Sequence, residues 1–69
     1  MKISARNVPK GRVKSILPGS INAEVTIELP GGIEIVSVIT KASVEALGLK
    51  IGGFAYAVIK ANNVMVGVE

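Results

Sequence analysis

From residue 21 to 29 the chain alternates without a break. Ile21, Ala23, Val25, Ile27 and Leu29 are apolar, and Asn22, Glu24, Thr26 and Glu28 stand between them. A period of two places the sets on opposite faces of a strand, one buried and one wet. Pro30-Gly31-Gly32 then predicts a hairpin. In the next strand, over residues 33–39, Ile33, Ile35 and Ile39 share one face, and Val36 and Val38 share the other. A strand that is apolar on both faces is buried on both. A chain too small for two cores meets that demand with a second subunit.

The rest of the pattern is weaker but consistent. Residues 3–17 read as a first, bent strand, with Pro9 and Gly11 predicting an edge position, a bulge or a break. Pro18-Gly19 is a turn. Residues 40–48 predict a short helix, with Thr40 as N-cap, Gly48 at the left-handed C′ position, and Val44 and Leu47 on one face. After a turn at Ile51-Gly52-Gly53, residues 54–59 predict a fourth strand. Asn62-Asn63 predicts a hairpin turn and residues 64–68 a last strand. Three strands, a helix and two strands give an all-β class: an OB-like five-stranded barrel with one short helix after the third strand. An SH3-like barrel is the nearest competitor, and periodicity does not separate the two.

Composition adds a reason for self-association. Sixty-nine residues make one small domain of limited stability. The chain has no Cys and no His, so neither a disulfide nor a Cys/His zinc site can reinforce it. Yet 49% of it is hydrophobic and its mean hydropathy is +0.56. No apolar run approaches the roughly 18 residues of a membrane span, and the start of the chain lacks the apolar core of a signal peptide. The expectation is a soluble cytoplasmic protein with surplus apolar surface that a second copy covers.

Charge points to an anionic partner. The net charge is +3, and Lys2, Arg6, Lys10, Arg12 and Lys14 all precede the first acid, Glu24. Such a basic segment suits nucleic acid, an acidic lipid surface or a small anion, and equally a solvated strand edge. Enzyme chemistry finds little support: His, Cys and Asp are absent, and the five glutamates are spread out. Glu24 and Glu28 read as a solvated strand face. No phosphate-binding loop motif and no metal-type carboxylate cluster occur. A single-stranded nucleic-acid-binding OB module is the rival reading, but it needs aromatic platforms. Phe54 and Tyr56 are the only aromatics, and their setting among Ala, Val and Ile predicts core packing.

A small oxyanion asks for hydroxyls, backbone N–H groups and one or two fixed cations, away from carboxylates. Ser4-Ala5-Arg6-Asn7 lies in the acid-free stretch, and in a strand Ser4 and Arg6 project to one face. Thr40 and Ser43 at the helix start are further donors, and Lys60 is a second cation. Arg6 and Lys60 together would balance a dianion. Taken singly, each has a plainer role: Thr40 as a helix cap, Lys60 at the surface, Arg6 paired to a glutamate.

The same residues carry a family resemblance. Ser4-Ala5-Arg6-Asn7 with Gly11 resembles the SARNxxxG opening of the molybdopterin-binding-like (Mop, or molbindin, TOBE-type) family. Ile39-Thr40-Lys41-Ala42-Ser43 resembles its I-T/S-x-x-S segment, running on to Leu47-Gly48, and Val58-Ile59-Lys60-Ala61 with Val64 resembles its last element. The resemblance spans residues 1–69 as a single Mop/molbindin domain. It implies an OB-like fold and a homo-oligomer, typically a hexamer built as a trimer of dimers. It implies that the ligand is molybdate, with tungstate also accepted, bound between subunits by hydrogen bonds and without protein–metal ligation. Ser4, Ala5, Arg6, Lys60 and Ala61 match one ligand group. Thr40 and Ser43 match a second, supplied in the family by a neighbouring subunit. No nucleic acid and no membrane is implied as a partner; storage or homeostasis is the implied role. Val8-Pro9 departs from the family's usual Gln-Leu, and Pro9 removes a backbone donor. The turn at Gly19-Ser20 is a candidate for a second type of site.

Overall fold

The computed structural model describes residues 1–69. Four strands build one curled antiparallel sheet: β1 (Lys10–Pro18), β2 (Asn22–Glu28), β3 (Glu34–Thr40) and β4 (Phe54–Tyr56), in the order β3-β2-β1-β4. A short helix, α1 (Lys41–Ala46), follows β3. This is the OB-like arrangement expected from the pattern. No helix is long and apolar enough to cross a membrane.

The alternation in β2 sets the core. Ala23, Val25 and Ile27 are buried, together with Val13 of β1 and Ala57 beyond β4. Ile35, Ile39, Val44, Leu49 and Ile59 pack half-buried around this cluster. The β2–β3 register puts Ile27 opposite Ile35 and Ala23 opposite Ile39. Gly31 and Gly32 close that hairpin at φ +92° and +88°, a region glycine enters without a Cβ clash. Thr40 caps α1 and Gly48 takes φ +64° beyond its end, as the sequence predicts. Of the helix face, Val44 packs inward, but Leu47 is exposed. Val36 and Val38 are also exposed in the single chain.

β1 corrects the reading of residues 3–17. It begins at Lys10, directly after Pro9, and it is an interior strand between β2 and β4. Pro9 lies opposite Ala57: its carbonyl accepts from the Ala57 N–H at 2.9 Å, but proline has no N–H to return the bond, so the β1–β4 ladder breaks there and resumes only as the isolated Asn7–Ile59 bridge. A second irregularity, a bulge, lies between Val13 and Ser15. Beside it the Lys14 ammonium binds Glu34 and lies 3.9 Å from Glu28. The hydrogen bond from Lys14 to Glu34 and the charge of that carboxylate hold the Lys14 pKa above the usual lysine value. This pair is solvated, so it contributes little stability.

β4 corrects the reading of the aromatics. Gly11 pairs with Ala55, Lys10 with Tyr56, and Arg12 with Phe54. Gly11 is buried, so Ala55 turns inward and its neighbours turn out. Phe54 and Tyr56 are 62% and 47% exposed rather than core residues. The Lys10 ammonium and the Arg12 guanidinium lie 4.5 and 4.4 Å from the Phe54 ring centroid, sheltering it by cation–π contact.

The fifth strand does not form within the chain. Residues 61–63 make a 3-10 turn instead of a hairpin turn, with the Asn63 N–H donating to the Lys60 carbonyl at 2.9 Å. That turn carries the chain off the sheet, and residues 64–68 join no ladder. Val66 and Val68 are 91% and 94% exposed. The seam between the free edges β3 and β4 thus stays open. An apolar cleft of about 410 Å³ lies there, lined by Ile39, Leu47, Leu49, Ala55 and Val58 among others.

Candidate oxyanion site

Residues 1–9 form no strand, so the shared face of Ser4 and Arg6 has another origin. Two backbone bonds place them. The Ile59 N–H donates to the Asn7 carbonyl at 2.8 Å, and the Ala57 N–H donates to the Pro9 carbonyl. This short zipper, with its isolated bridge at Asn7–Ile59, lays residues 3–6 beside residues 58–62. Between them lies an open depression of about 510 Å³. Its lining includes Ser4, Ala5, Arg6, Lys60 and Ala61, which are five of the seven residues singled out from the sequence.

The donors in this depression are uncommitted. The only ion pairs in the chain are those of Lys14 with Glu28 and Glu34. Arg6 and Lys60 therefore face the depression with no carboxylate partner. No glutamate lines it. The Ser4 hydroxyl makes no internal hydrogen bond, and the N–H groups of Ala5 and Ala61 have no partner in the chain. Two cations, one hydroxyl and free amides without a nearby acid suit a tetrahedral dianion. The volume is large for a five-atom anion, since pockets of about 300–1,000 Å³ hold drug-sized ligands. One chain supplies a wall rather than an enclosure.

Thr40 and Ser43 do not line this wall. They sit at the start of α1 and satisfy each other. The Thr40 Oγ1 accepts from the Ser43 N–H at 3.0 Å and donates to the Ser43 Oγ at 2.8 Å. The capping reading of Thr40 is thus realised in the lone chain. Thr40→Ala is expected to destabilise the fold by about 1 kcal/mol through loss of the cap. In a domain of this size that is a drop of roughly 4–8 °C in melting temperature, readable by circular dichroism. An unchanged melt would mean that the cap bears no load. At the other candidate site, the Gly19 N–H already donates to the Asn22 carbonyl at 2.7 Å and is not free for an anion.

Sequence reasoning missed three lining residues: Ile3, Val58 and Asn62. Asn62 was readable only as a turn former, although it directly follows Lys60-Ala61. Its position in the depression depends on the 3-10 turn, which has no sharp sequence signal.

Residues 3–66 match the family model described as the TOBE domain. The chain is 55% identical to a probable molybdenum-pterin-binding protein of Haemophilus influenzae, over 100% of both chains. Among solved structures, MopII from Clostridium pasteurianum superposes with a TM-score of 0.91 at 45% identity, covering 97% of this chain and 100% of that one. The cytoplasmic molybdate-binding protein ModG, solved with molybdate bound, gives a TM-score of 0.95 at 55% identity. That match covers 100% of this chain and 49% of the ModG chain.

Proposed function

Because this chain belongs to the TOBE-domain family, among the Mop-type molybdate-binding proteins, we propose that it reversibly binds molybdate, and also tungstate, between subunits of a cytoplasmic homo-oligomer. Its role in this reading is storage and homeostasis of the oxyanion, by binding rather than catalysis. The observation that carries the reading is the depression where Arg6 and Lys60 stand unpaired beside Ser4, with no carboxylate in its lining. Their two positive charges balance a charge of minus two. Arg6 offers a planar fork of donors, Lys60 a compact cation, Ser4 a hydroxyl, and Ala5 and Ala61 backbone N–H groups.

Thr40 and Ser43 complete the enclosure from a second subunit in this reading, a hexamer arranged as a trimer of dimers. The open seam, the apolar cleft and the uncovered valines support self-association. Only 6 of 69 residues are buried in the lone chain, too few for a stable core by itself. Selectivity over sulfate follows from size. Sulfate has the same shape and charge but shorter bonds, so it leaves some donors stretched or unpaired, and an unpaired donor is costly.

The test is calorimetric titration with molybdate, tungstate, sulfate and a short single-stranded oligonucleotide, combined with native mass spectrometry. Heat with molybdate and tungstate, little with sulfate, and an oligomer in the mass spectrum are expected. Heat with the oligonucleotide alone would replace this reading by a nucleic-acid-binding one. The oligomer has its own check. Val66→Asp with Val68→Asp alters side chains that contact almost nothing in the lone chain, where such changes cost within about 0.5 kcal/mol. The double variant is expected to fall apart into smaller species in native mass spectrometry. An intact assembly would place the interface elsewhere.

A further inference from the structure

We infer that Asn62 is a further contact residue for the oxyanion and tightens its binding. This rests on the molybdate reading and adds to it a residue outside the two ligand groups described above. Asn62 lines the same depression as Ser4, Arg6, Lys60 and Ala61. It is exposed, and its carboxamide makes no hydrogen bond to any group of the chain. The zipper at Asn7–Ile59 and the 3-10 turn at residues 61–63 both fix the backbone on which it stands.

The chemistry of the carboxamide suits this place. A tetrahedral oxyanion has four oxygens, each accepting more than one hydrogen bond, so the wall of one hydroxyl, two cations and the N–H groups of Ala5 and Ala61 still leaves room for a further donor. The amide of Asn62 brings two N–H donors without charge. Arg6 and Lys60 already match a dianion, and a third cation there would overcompensate it. A neutral donor adds binding while keeping the charge balance. Its side chain also reaches further from the backbone than the N–H of Ala61.

The experiment titrates molybdate and sulfate into the intact oligomers of the wild-type protein and of the Asn62→Ala, Asn62→Ser and Asn62→Asp variants. The molybdate dissociation constant is expected to rise about tenfold in Asn62→Ala, from loss of a hydrogen bond to a charged group. Asn62→Ser keeps a donor and falls between Asn62→Ala and the wild type. Asn62→Asp sets a carboxylate against the anion and binds weakest of the three. Equal affinity in all four proteins overturns the inference while leaving the molybdate reading in place. Absence of binding to the wild type sinks the molybdate reading, and the inference with it. A second measurement needs no variant. In the 15N-labelled wild-type protein, the side-chain amide resonances of Asn62 are expected to shift on addition of molybdate. If they stay in place at saturation, Asn62 does not touch the ligand.

Discussion

Arg6→Ala and Lys60→Ala are each expected to weaken molybdate binding at least thirtyfold, and the double variant to abolish it. Losing one member of a close charge pair costs about 2 kcal/mol or more, and 1.4 kcal/mol is a tenfold change in dissociation constant. The fold should not notice either change. Neither side chain is in an ion pair or an internal hydrogen bond, and such surface substitutions stay within about 0.5 kcal/mol of neutral. Titration calorimetry reads the first effect and thermal melting the second. Arg6→Lys separates charge from geometry, because lysine keeps the charge but loses the planar fork of donors. Unchanged affinity in both alanine variants would place the anion somewhere else on the molecule.

Gly11→Ala is expected to be the most damaging small substitution, costing about 3 kcal/mol, at the upper end for overpacking. A Cβ built at residue 11 would lie 2.4 Å from the Glu28 carbonyl oxygen and 2.8 Å from the Ile27 Cγ2. The first of these atoms is backbone and cannot swing aside. Relief requires β1 to move away from β2, through the middle of the sheet. The same movement disturbs Ala55, which Gly11 faces across to β4. Chemical denaturation should show a lower midpoint than the wild type. A melt within 1 °C of the wild type would show that the strands separate more easily than their packing implies. Gly11→Ala and Arg6→Ala thus form opposite controls: one attacks the scaffold, the other the ligand.

The contrast between these two residues shows what kind of information the chain carries. Arg6 was legible as a candidate from chemistry, since it sits in an acid-free stretch beside a serine. Gly11 was legible as an interruption of a strand pattern and as the last position of the SARNxxxG opening, but neither gave its structural reason. Its close approach to Glu28 exists because β1 and β2 are paired in one particular register. The bulge at Lys14 and the outward direction of Phe54 and Tyr56 have the same origin. A period-2 pattern gives two faces but does not say which face is inside when both are apolar. In β4 the choice fell to Gly11, which has no side chain and so draws Ala55 inward.

The site was half legible. Ser4, Ala5, Arg6, Lys60 and Ala61 line one depression, although Ser4 and Arg6 lie in an irregular segment rather than a strand. Asn62 was hidden because a turn residue reveals its neighbours only after the turn is built. Thr40 and Ser43 stay apart from the others because the cap bonds locally at the start of α1, away from the depression.

Local pattern by itself determined the β-rich class, the β2–β3 hairpin, the capped helix and the acid-free donors, because each depends on residues close in sequence. Tertiary structure alone decided which donors share a depression, which apolar faces turn outward, and that the last segment leaves the sheet. Those outcomes depend on strand register and on contacts between residues some fifty positions apart in the chain, such as Asn7 with Ile59, which no local periodicity encodes.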